Sequence, residues 1–278
     1  MDGQAAAAGG RPVASAEIWY LYHSGFAVKT RVSAHMPPRE HFLVFDYYAD
    51  EPAVSGPGAG GRSLDTGVIE PAQIAGERVT VFASHRHPDH YNPVIWRFAD
   101  AIPSLQYLLS GDIRRTRSAK EACAAGDKNV RYIRPGEALD LDGLRVTALD
   151  STDIGIAFLV KDGPLTIFHA GDLNWWHWEG EPEAENRKMA RDFCAQIDRL
   201  RGERIDLAFF PVDPRLGGDC VRGIDYFMRT VGAAAVFPMH FGDDTGVIGR
   251  LKRDPRTAAY RDRIMEIHRR GERFSLTF

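Results

Sequence analysis

The chain has 278 residues, of which 44% are hydrophobic and 26% are charged, a composition typical of a globular protein and not of a disordered one. Its length suits one large buried core. Its net charge of -3 lacks the basic excess that nucleic-acid binding requires, so nucleic acid is not an expected partner.

The N-terminus and the cysteines indicate the cellular compartment to expect for the protein. Residues 1–16 lack the basic and apolar regions of a signal peptide, so they predict a disordered leader ahead of a single domain over residues 17–278. The three cysteines are widely spaced, which argues against disulfides or a thiolate zinc site and favours a reducing compartment. No apolar run is long enough for a membrane span. We therefore expect a cytoplasmic protein without membrane contact.

The first predicted elements are short strands. Residues 17–22 form a strand-like run that can pair with residues 28–30 through a tight turn, and residues 41–47 form another strand. His23 lies at the turn, in the segment H-S-G-F. From the sequence around it, His23 is either structural or part of a pocket wall.

A metal-binding pattern follows the next strand. Residues 79–83 are apolar and rich in β-branched side chains, which predicts a buried strand. His85 and His87 come next, and their spacing puts both imidazoles on one face of an extended backbone. Asp89 and His90 follow on a turn, before a helix that begins at Pro93. Neutral imidazole and carboxylate are usual ligands of divalent cations, so the pattern favours a metal site over a polar surface loop.

The remainder of the chain alternates strands and helices. Further helices are predicted over residues 110–125, 185–200, 224–231 and 255–269, and further strands over residues 105–109, 144–149, 155–160, 165–168, 206–210, 233–237 and 273–278. Three of these strands run into candidate site residues, namely Asp172, Asp213 and His240. The carboxyl ends of strands are where α/β folds build their sites.

A tryptophan-rich segment, W-W-H-W, follows Asp172 at residues 175–178. Three tryptophans in four residues cannot all face one core. Some of them, with Trp175 and Trp178 as the candidates, should line a substrate pocket or hold the loop by packing.

The H-x-H-x-D-H pattern of residues 85–90 resembles the metallo-β-lactamase superfamily. Within it, the chain is similar to the branch that includes the L-ascorbate-6-phosphate lactonase-like hydrolases, over residues 18–241. The resemblance implies an α/β fold, an αβ/βα four-layer sandwich of two mixed β-sheets with outer helices. It also implies a site for two metal ions, Zn2+ first, because the H-A-G-D segment that ends at Asp172 matches a bridging aspartate of that branch.

The resemblance assigns the remaining ligands, with one departure. It implies that His85 and His87 hold one ion and that Asp89, His90 and His240 hold the other. The branch has a third histidine for the first ion after the 144–149 strand, where this chain offers Asp153 or, as an alternative, Asp150. An oxygen ligand there makes Mn2+ or Fe2+ plausible beside zinc. His23 matches a segment near the metal site.

The function implied is hydrolysis by a metal-bound hydroxide, with Asp89 as the catalytic carboxylate. The substrate would be a small molecule with an ester, lactone or phosphoester bond, with a lactone or a phosphorylated compound slightly ahead. Its contacts are predicted at His23, Trp175, Trp178 and Asp213. The alternatives are a non-catalytic metal-binding or sensing module, a phosphodiesterase or nuclease, and a redox enzyme on the same scaffold. The oligomeric state stays open.

Overall fold

The computed structural model describes residues 14–33, 38–56, 59–124, 126 and 129–278. Residues 1–13 of the predicted leader lie outside the described residues, whereas residues 14–16 already belong to the first strand. The strands are β1 (Ala14–Tyr22), β2 (Gly25–Val32), β3 (Arg39–Phe45), β4 (Val79–Ala83), β5 (Leu105–Ser110), β6 (Val130–Ile133), β7 (Ala138–Leu141), β8 (Leu144–Asp150), β9 (Ile156–Asp162), β10 (Leu165–His169), β11 (Leu207–Pro211), β12 (Ala235–Met239) and β13 (Arg273–Thr277). The α-helices are α1 (Arg117–Ala124), α2 (Glu183–Asp198), α3 (Arg222–Thr230) and α4 (Gly246–Arg253).

Two mixed sheets carry the fold. The first has the order β13-β1-β2-β3-β4-β5-β6, and the second has the order β12-β11-β10-β9-β8-β7. Strands β3 to β6 are parallel neighbours in the first sheet, as are β10 to β12 in the second. Because parallel strands end at the same edge of their sheet, the loops after β4, β10, β11 and β12 are where a site is expected.

The sheets and helices form four layers, because the central strands are buried on both faces. On β1, Ile18 and Tyr20 belong to the core between the sheets and against α2 to α4, whereas Trp19 and Leu21 belong to a second core on the outer face of the first sheet. That outer core is covered by α1 and by the 3₁₀ segment Pro93–Asp100. The αβ/βα sandwich predicted from the resemblance is therefore confirmed.

A buried carboxylate ties the two sheets together far from the strand ends that hold the ligands. Asp162, at the end of β9, accepts hydrogen bonds from Thr30 Oγ1 at 2.6 Å and Arg39 Nη2 at 2.7 Å, and it lies 3.0 Å from His41 Nδ1. Burial alone would raise the pKa of Asp162, but these hydrogen bonds outweigh it and lower the pKa.

The predicted helix over residues 255–269 is wrong. Asp254 does cap a helix start by accepting from the Arg256 amide, but only the 3₁₀ turns Pro255–Ala259 and Arg261–Arg263 follow. Buried Tyr260, Ile264 and Ile267 repeat at a helical spacing without forming a helix, since Ile264 lies beside Val236 of β12 instead. The helix that the sequence reading missed is α4, immediately before this segment. No helix in the described residues is both long and apolar enough to cross a bilayer.

Candidate metal centre

Eight of the predicted site residues converge where the loops after β1, β4, β8, β10 and β12 meet. They form two groups, and within each group the candidate ligand atoms lie within 4.8 Å of one another. The first group is His85, His87, Asp153 and Asp172, and the second is His23, Asp89, His90 and His240. These are the two sets that the sequence reading separated, with His23 added to the second.

Asp172 lies between the two groups. Its Oδ2 atom is 3.4 Å from His85 Nε2, whereas its Oδ1 atom is 3.1 Å from His90 Nε2 and 3.3 Å from His240 Nε2. All four side chains are buried. Each oxygen of one carboxylate therefore faces a different group of imidazoles, the arrangement that a ligand shared by two cations needs.

The two groups differ in exposure. In the first, His87 Nδ1 lies 3.7 Å from Asp153 Oδ2, and both side chains are about half exposed, at 43% and 50%. In the second, Asp89 Oδ2 lies 3.4 Å from His23 Nε2 and 3.9 Å from His90 Nε2. The first group is thus open to solvent on the side of His87, and the second opens through Asp89.

Hydrogen bonds at the far nitrogen orient three of the imidazoles. His90 Nδ1 donates to Asp46 at 2.8 Å, and His240 Nδ1 donates to Asp213 at 2.9 Å. Ser84 Oγ donates to Asp46, so it accepts from His85 Nδ1, which lies 3.0 Å away. Each ring therefore turns its Nε2 atom towards the centre, the orientation that metal-ligating histidines have.

Unsatisfied buried atoms show that these residues fit a cation. His23 Nε2, His85 Nε2, His90 Nε2 and Asp172 Oδ1 are buried and have no hydrogen-bond partner in the described residues. Buried polar atoms are normally paired, and each unpaired one needs an explanation. Four of them around one point, in a set made of imidazole and carboxylate, fit a site for divalent cations.

The pKa shifts of the buried side chains also favour the binding of cations. Burial lowers the pKa of His85 to about 4, so this ring is neutral and free to coordinate. Burial alone would raise the pKa of Asp172, but His90, His240 and His85 outweigh it and hold the pKa far below its usual range. Burial alone would lower the pKa of His90, yet Asp172 and Asp46 raise it well above its usual value. The centre therefore favours positive charge beside Asp172.

Local backbone conformation aims several of these side chains. His23, Asp46 and His240 have left-handed backbone φ values of 56°, 44° and 66°, which side-chain-bearing residues seldom adopt. Such residues cluster at functional sites, where the surrounding structure holds them in place. Asp46 and His240 come just after β3 and β12, so each strand ends in a turn that points its side chain at the centre.

Two glycines allow the ligand loops to meet. A Cβ on Gly155 would lie 2.1 Å from the Ser84 carbonyl oxygen and 2.4 Å from His85 Cβ. A Cβ on Gly171 would lie 2.7 Å from the Ile156 carbonyl oxygen and 2.8 Å from Ser84 Cβ. The loops that carry Asp153 and Asp172 thus reach the end of β4 only because these two positions have no side chain.

A cleft of about 310 Å³ opens beside the centre. Its wall includes Asp89, Asp153, Trp176, Trp178 and Arg215. A larger cleft, of about 920 Å³, lies on the other side of the loop that carries Asp150 and Asp153, and both of these residues line it. Of the two, only Asp153 also joins the first ligand group.

Only one of the four predicted substrate contacts lines the cleft. Trp178 lines the cleft, but Trp175 packs against Phe193 and Tyr226 away from it. Asp213 is buried behind His240, and His23 belongs to the second ligand group. The prediction that Trp175 and Asp213 line the substrate pocket is therefore not supported by their positions.

The sequence reading missed Asp46, Trp176 and Arg215. Asp46 lies inside the strand predicted over residues 41–47, and nothing near it in the sequence ties it to His90. Trp176 stands inside the tryptophan segment, but its neighbours give no sign of which ring faces inward. Arg215 follows the Pro-Val-Asp-Pro run after β11, and this position at a strand end was the one available signal.

Solved structures share this fold at low sequence identity. CmlA, a diiron β-hydroxylase from Streptomyces venezuelae, matches over 95% of this chain with a TM-score of 0.57 and 14% identity, and the match covers 54% of CmlA. YhfI, a metallo-β-lactamase fold protein from Bacillus subtilis, matches with a TM-score of 0.56 and 14% identity over 95% of this chain and all of YhfI. A diphosphatase from the PhnP family matches with a TM-score of 0.51 and 12% identity, over 95% of this chain and 98% of its own.

These matches identify the fold and leave the activity open. This chain spans about half the length of CmlA. No protein-family model and no curated protein matches the sequence. The chain has the metallo-β-lactamase fold, as the sequence resemblance predicted.

Proposed function

We propose that this metallo-β-lactamase-fold chain is a binuclear metal-dependent hydrolase that acts on an ester, lactone or phosphoester bond of a small molecule. The observation that carries the proposal is the position of Asp172, whose two oxygens face separate imidazole groups at 3.1 to 3.4 Å. His85, His87 and Asp153 would hold one ion, with Asp89, His90 and His240 holding the other and His23 beside them. Bound there, divalent cations would supply Lewis-acid activation of water and of the scissile group.

Asp89 is the carboxylate that we assign to positioning the attacking water. Its side chain lines the cleft and is 42% exposed, while one carboxylate oxygen lies near His23 and His90. Burial alone would raise the pKa of Asp89, but the His23 and His90 side chains hold it well below its usual range. The carboxylate is thus ionised at neutral pH, so it can hold a cation and orient the attacking water by accepting a hydrogen bond from it.

The cleft favours an enzyme over a passive metal-binding module. A structural metal site is closed by its protein ligands, whereas a catalytic site keeps a position open. Here His87, Asp89 and Asp153 all reach the cleft wall, and Trp176 covers the buried side by donating from Nε1 to the Asp172 carbonyl. A volume of about 310 Å³ is at the lower end of small-molecule pockets, which fits a small substrate better than a nucleic acid.

A redox enzyme is the second candidate. Asp153 gives the first group an oxygen ligand in place of a third histidine, which shifts preference towards iron or manganese. CmlA, one of the structures similar in fold, is a diiron β-hydroxylase. Metal analysis of the purified protein separates the candidates, because two equivalents of zinc favour the hydrolase and iron with substrate-dependent oxygen uptake favours the oxidase or hydroxylase.

Asp89→Asn tests the hydrolase proposal. The change keeps the shape of the side chain and removes its charge, so kcat on a panel of 4-nitrophenyl esters, phosphodiesters and lactones should fall by about two orders of magnitude or more. Thermal stability should change little. Asp100→Asn, at an exposed position outside the centre, is the matched control and should leave kcat unchanged.

The proposal fails if the metal-loaded protein hydrolyses none of these substrates and Asp89→Asn changes only the metal content and the melting temperature. That outcome would favour the binding module.

A further inference from the structure

One wall of the 310 Å³ cleft combines aromatic rings with a single cation. Trp176 and Trp178 stack with ring centroids 6.2 Å apart and planes 5° from parallel. The guanidinium carbon of Arg215 lies 5.7 Å from the Trp178 ring centroid. Arg215 is the one lysine or arginine among the described residues of the cleft wall. The wall thus offers an apolar platform beside a positive charge.

Hydrogen bonds preorganise this wall. Asp213 fixes Arg215 by accepting from its Nε and Nη2 atoms, which leaves Nη1 without an acceptor in the described part of the chain. Asn186 on α2 holds the backbone of Trp178, because the Asn186 side chain accepts a hydrogen bond from the Trp178 amide and donates one to the Trp178 carbonyl. Because the Arg215 guanidinium and the Trp178 backbone are already held, a ligand that contacts this wall loses little additional conformational entropy.

The charge balance of the cleft makes Arg215 the available anion contact. The carboxylates on the wall belong to Asp89, Asp153 and Asp172, and all three are proposed metal ligands. Bound cations would neutralise them. Asp213 accepts hydrogen bonds from both Arg215 and His240, so it holds the Arg215 guanidinium close to a proposed metal ligand. The free Nη1 face suits an oxyanion such as a carboxylate or a phosphate.

We propose that Arg215 binds an oxyanion of the substrate next to the scissile bond, while an aromatic or apolar part of the same molecule lies against Trp178. This inference rests on the proposed hydrolase function and narrows its substrate class to small anionic esters, lactones or phosphoesters. Arg215 acts as a specificity-determining residue and takes no part in proton transfer.

The neighbouring cleft is the competing place for an anion. Its wall includes Arg114, Arg115, Lys120 and Arg134, and none of the four has an ion pair in the described structure. However, Asp112 and Asp150 line the same cleft, and the loop that carries Asp153 separates it from Asp172. An anion held there would lie away from the carboxylate shared by both ligand groups.

Arg215→Gln separates these possibilities in the metal-loaded protein. We expect KM for mono-(4-nitrophenyl) glutarate, an anionic ester, to rise about tenfold or more, the scale of one charge-assisted hydrogen bond. KM for neutral 4-nitrophenyl butyrate should change much less, so kcat/KM for the anionic ester should fall about tenfold relative to kcat/KM for the neutral ester. Arg222→Gln is the matched control, because Arg222 pairs with Asp219 and lies over the Trp175 ring in the same manner but outside the cleft.

Calorimetric titration with phenylphosphonate gives a readout that does not depend on turnover. Arg215→Gln should weaken its binding about tenfold, and Arg222→Gln should not. If Arg215→Gln changes KM equally for the neutral and the anionic ester, the inference is overturned and the hydrolase proposal stays intact. Weakening only by Arg114→Gln, Arg115→Gln and Lys120→Gln together moves the anion to the neighbouring cleft. Phenylphosphonate that binds no tighter than inorganic phosphate overturns the aromatic part of the inference.

Discussion

At the scale of residues, the centre combines ligands that lie close together in the sequence with side chains that act through another residue. The short spacing within H-x-H-x-D-H places its ligands together whatever the remaining fold does. No spacing in the sequence indicates Asp46, because its role depends on β3 lying beside β4 and on a hydrogen bond to His90. Asp213 was predicted as a substrate contact because it follows a strand, but its side chain bonds to His240 instead of lining the cleft.

Asp153 and Asp150 lie on one loop and give a direct test of the first ligand group. Asp153 Oδ2 is 3.7 Å from His87 Nδ1, whereas Asp150 lies outside the group and lines the larger cleft. Asp153→Ala should therefore lower the bound metal from two equivalents towards one and reduce turnover. Asp150→Ala should leave both unchanged. Metal content by mass spectrometry is the measurement, and the reverse ranking would assign the ligand role to Asp150.

At the scale of elements, the buried strands were predicted because each one is a short apolar run that ends at a turn, whereas β6 and β7, which are largely exposed or half-buried, were missed. The buried run over Val79–Ala83 matches its predicted bounds, as does the turn that joins β1 to β2. Helices were harder to predict in the last fifty residues. There, buried Tyr260, Ile264 and Ile267 repeat at a helical spacing but lie outside the two 3₁₀ turns, and Ile264 pairs with Val236 of β12, so periodicity alone predicted a helix in the wrong segment.

Gly155 tests whether close approach of two elements builds the centre. Gly155→Ala places a methyl group 2.1 Å from the Ser84 carbonyl oxygen at the end of β4, so the loop or the strand has to shift. We expect a loss of about 2 kcal/mol in the free energy of unfolding beyond the control, together with lower metal content, because His85 moves. Urea denaturation measures the first effect.

Gly180→Ala is the matched control for this change. Gly180 has a similar backbone φ of 89° but nothing within 4 Å of the added methyl group. Both variants share the cost of an alanine in the left-handed region, roughly 1 kcal/mol, so their difference isolates the steric contact. Equal losses in the two variants would show that the loop accommodates a side chain at Gly155.

At the scale of the whole molecule, the fold separates a stabilising network from the centre. The ligand loops occupy one edge of both sheets, and Asp162 joins the sheets at the opposite end of β9, whose first residue follows Gly155. The sequence predicted the two sheets through the resemblance. It could not indicate that Thr30, Arg39 and His41 would meet one buried carboxylate, since these residues are more than a hundred positions from it.

Asp162→Asn should therefore lower stability without emptying the centre. Removing the charge leaves Arg39 and His41 without their buried partner, which should cost about 3 kcal/mol, at the low end for such a change because Arg39 is 20% exposed. Metal content should be unchanged. Asp140→Asn is the control, since its partner Arg145 and Asp140 itself are largely exposed and their pairing should contribute less than about 0.5 kcal/mol.

The pH dependence of that difference follows from the pKa of Asp162. Its folded-state pKa lies below the ordinary 3.8, so its contribution to stability is present in full above pH 3.8. The contribution is lost as the pH falls through the lower folded value, where the folded carboxylate takes up its proton. Urea denaturation should thus show the wild type ahead of Asp162→Asn by a constant margin at neutral pH and by a shrinking margin below pH 3.8. A margin that persists to low pH would mean that Asp162 stabilises the sheets through packing and neutral hydrogen bonds instead of through its charge.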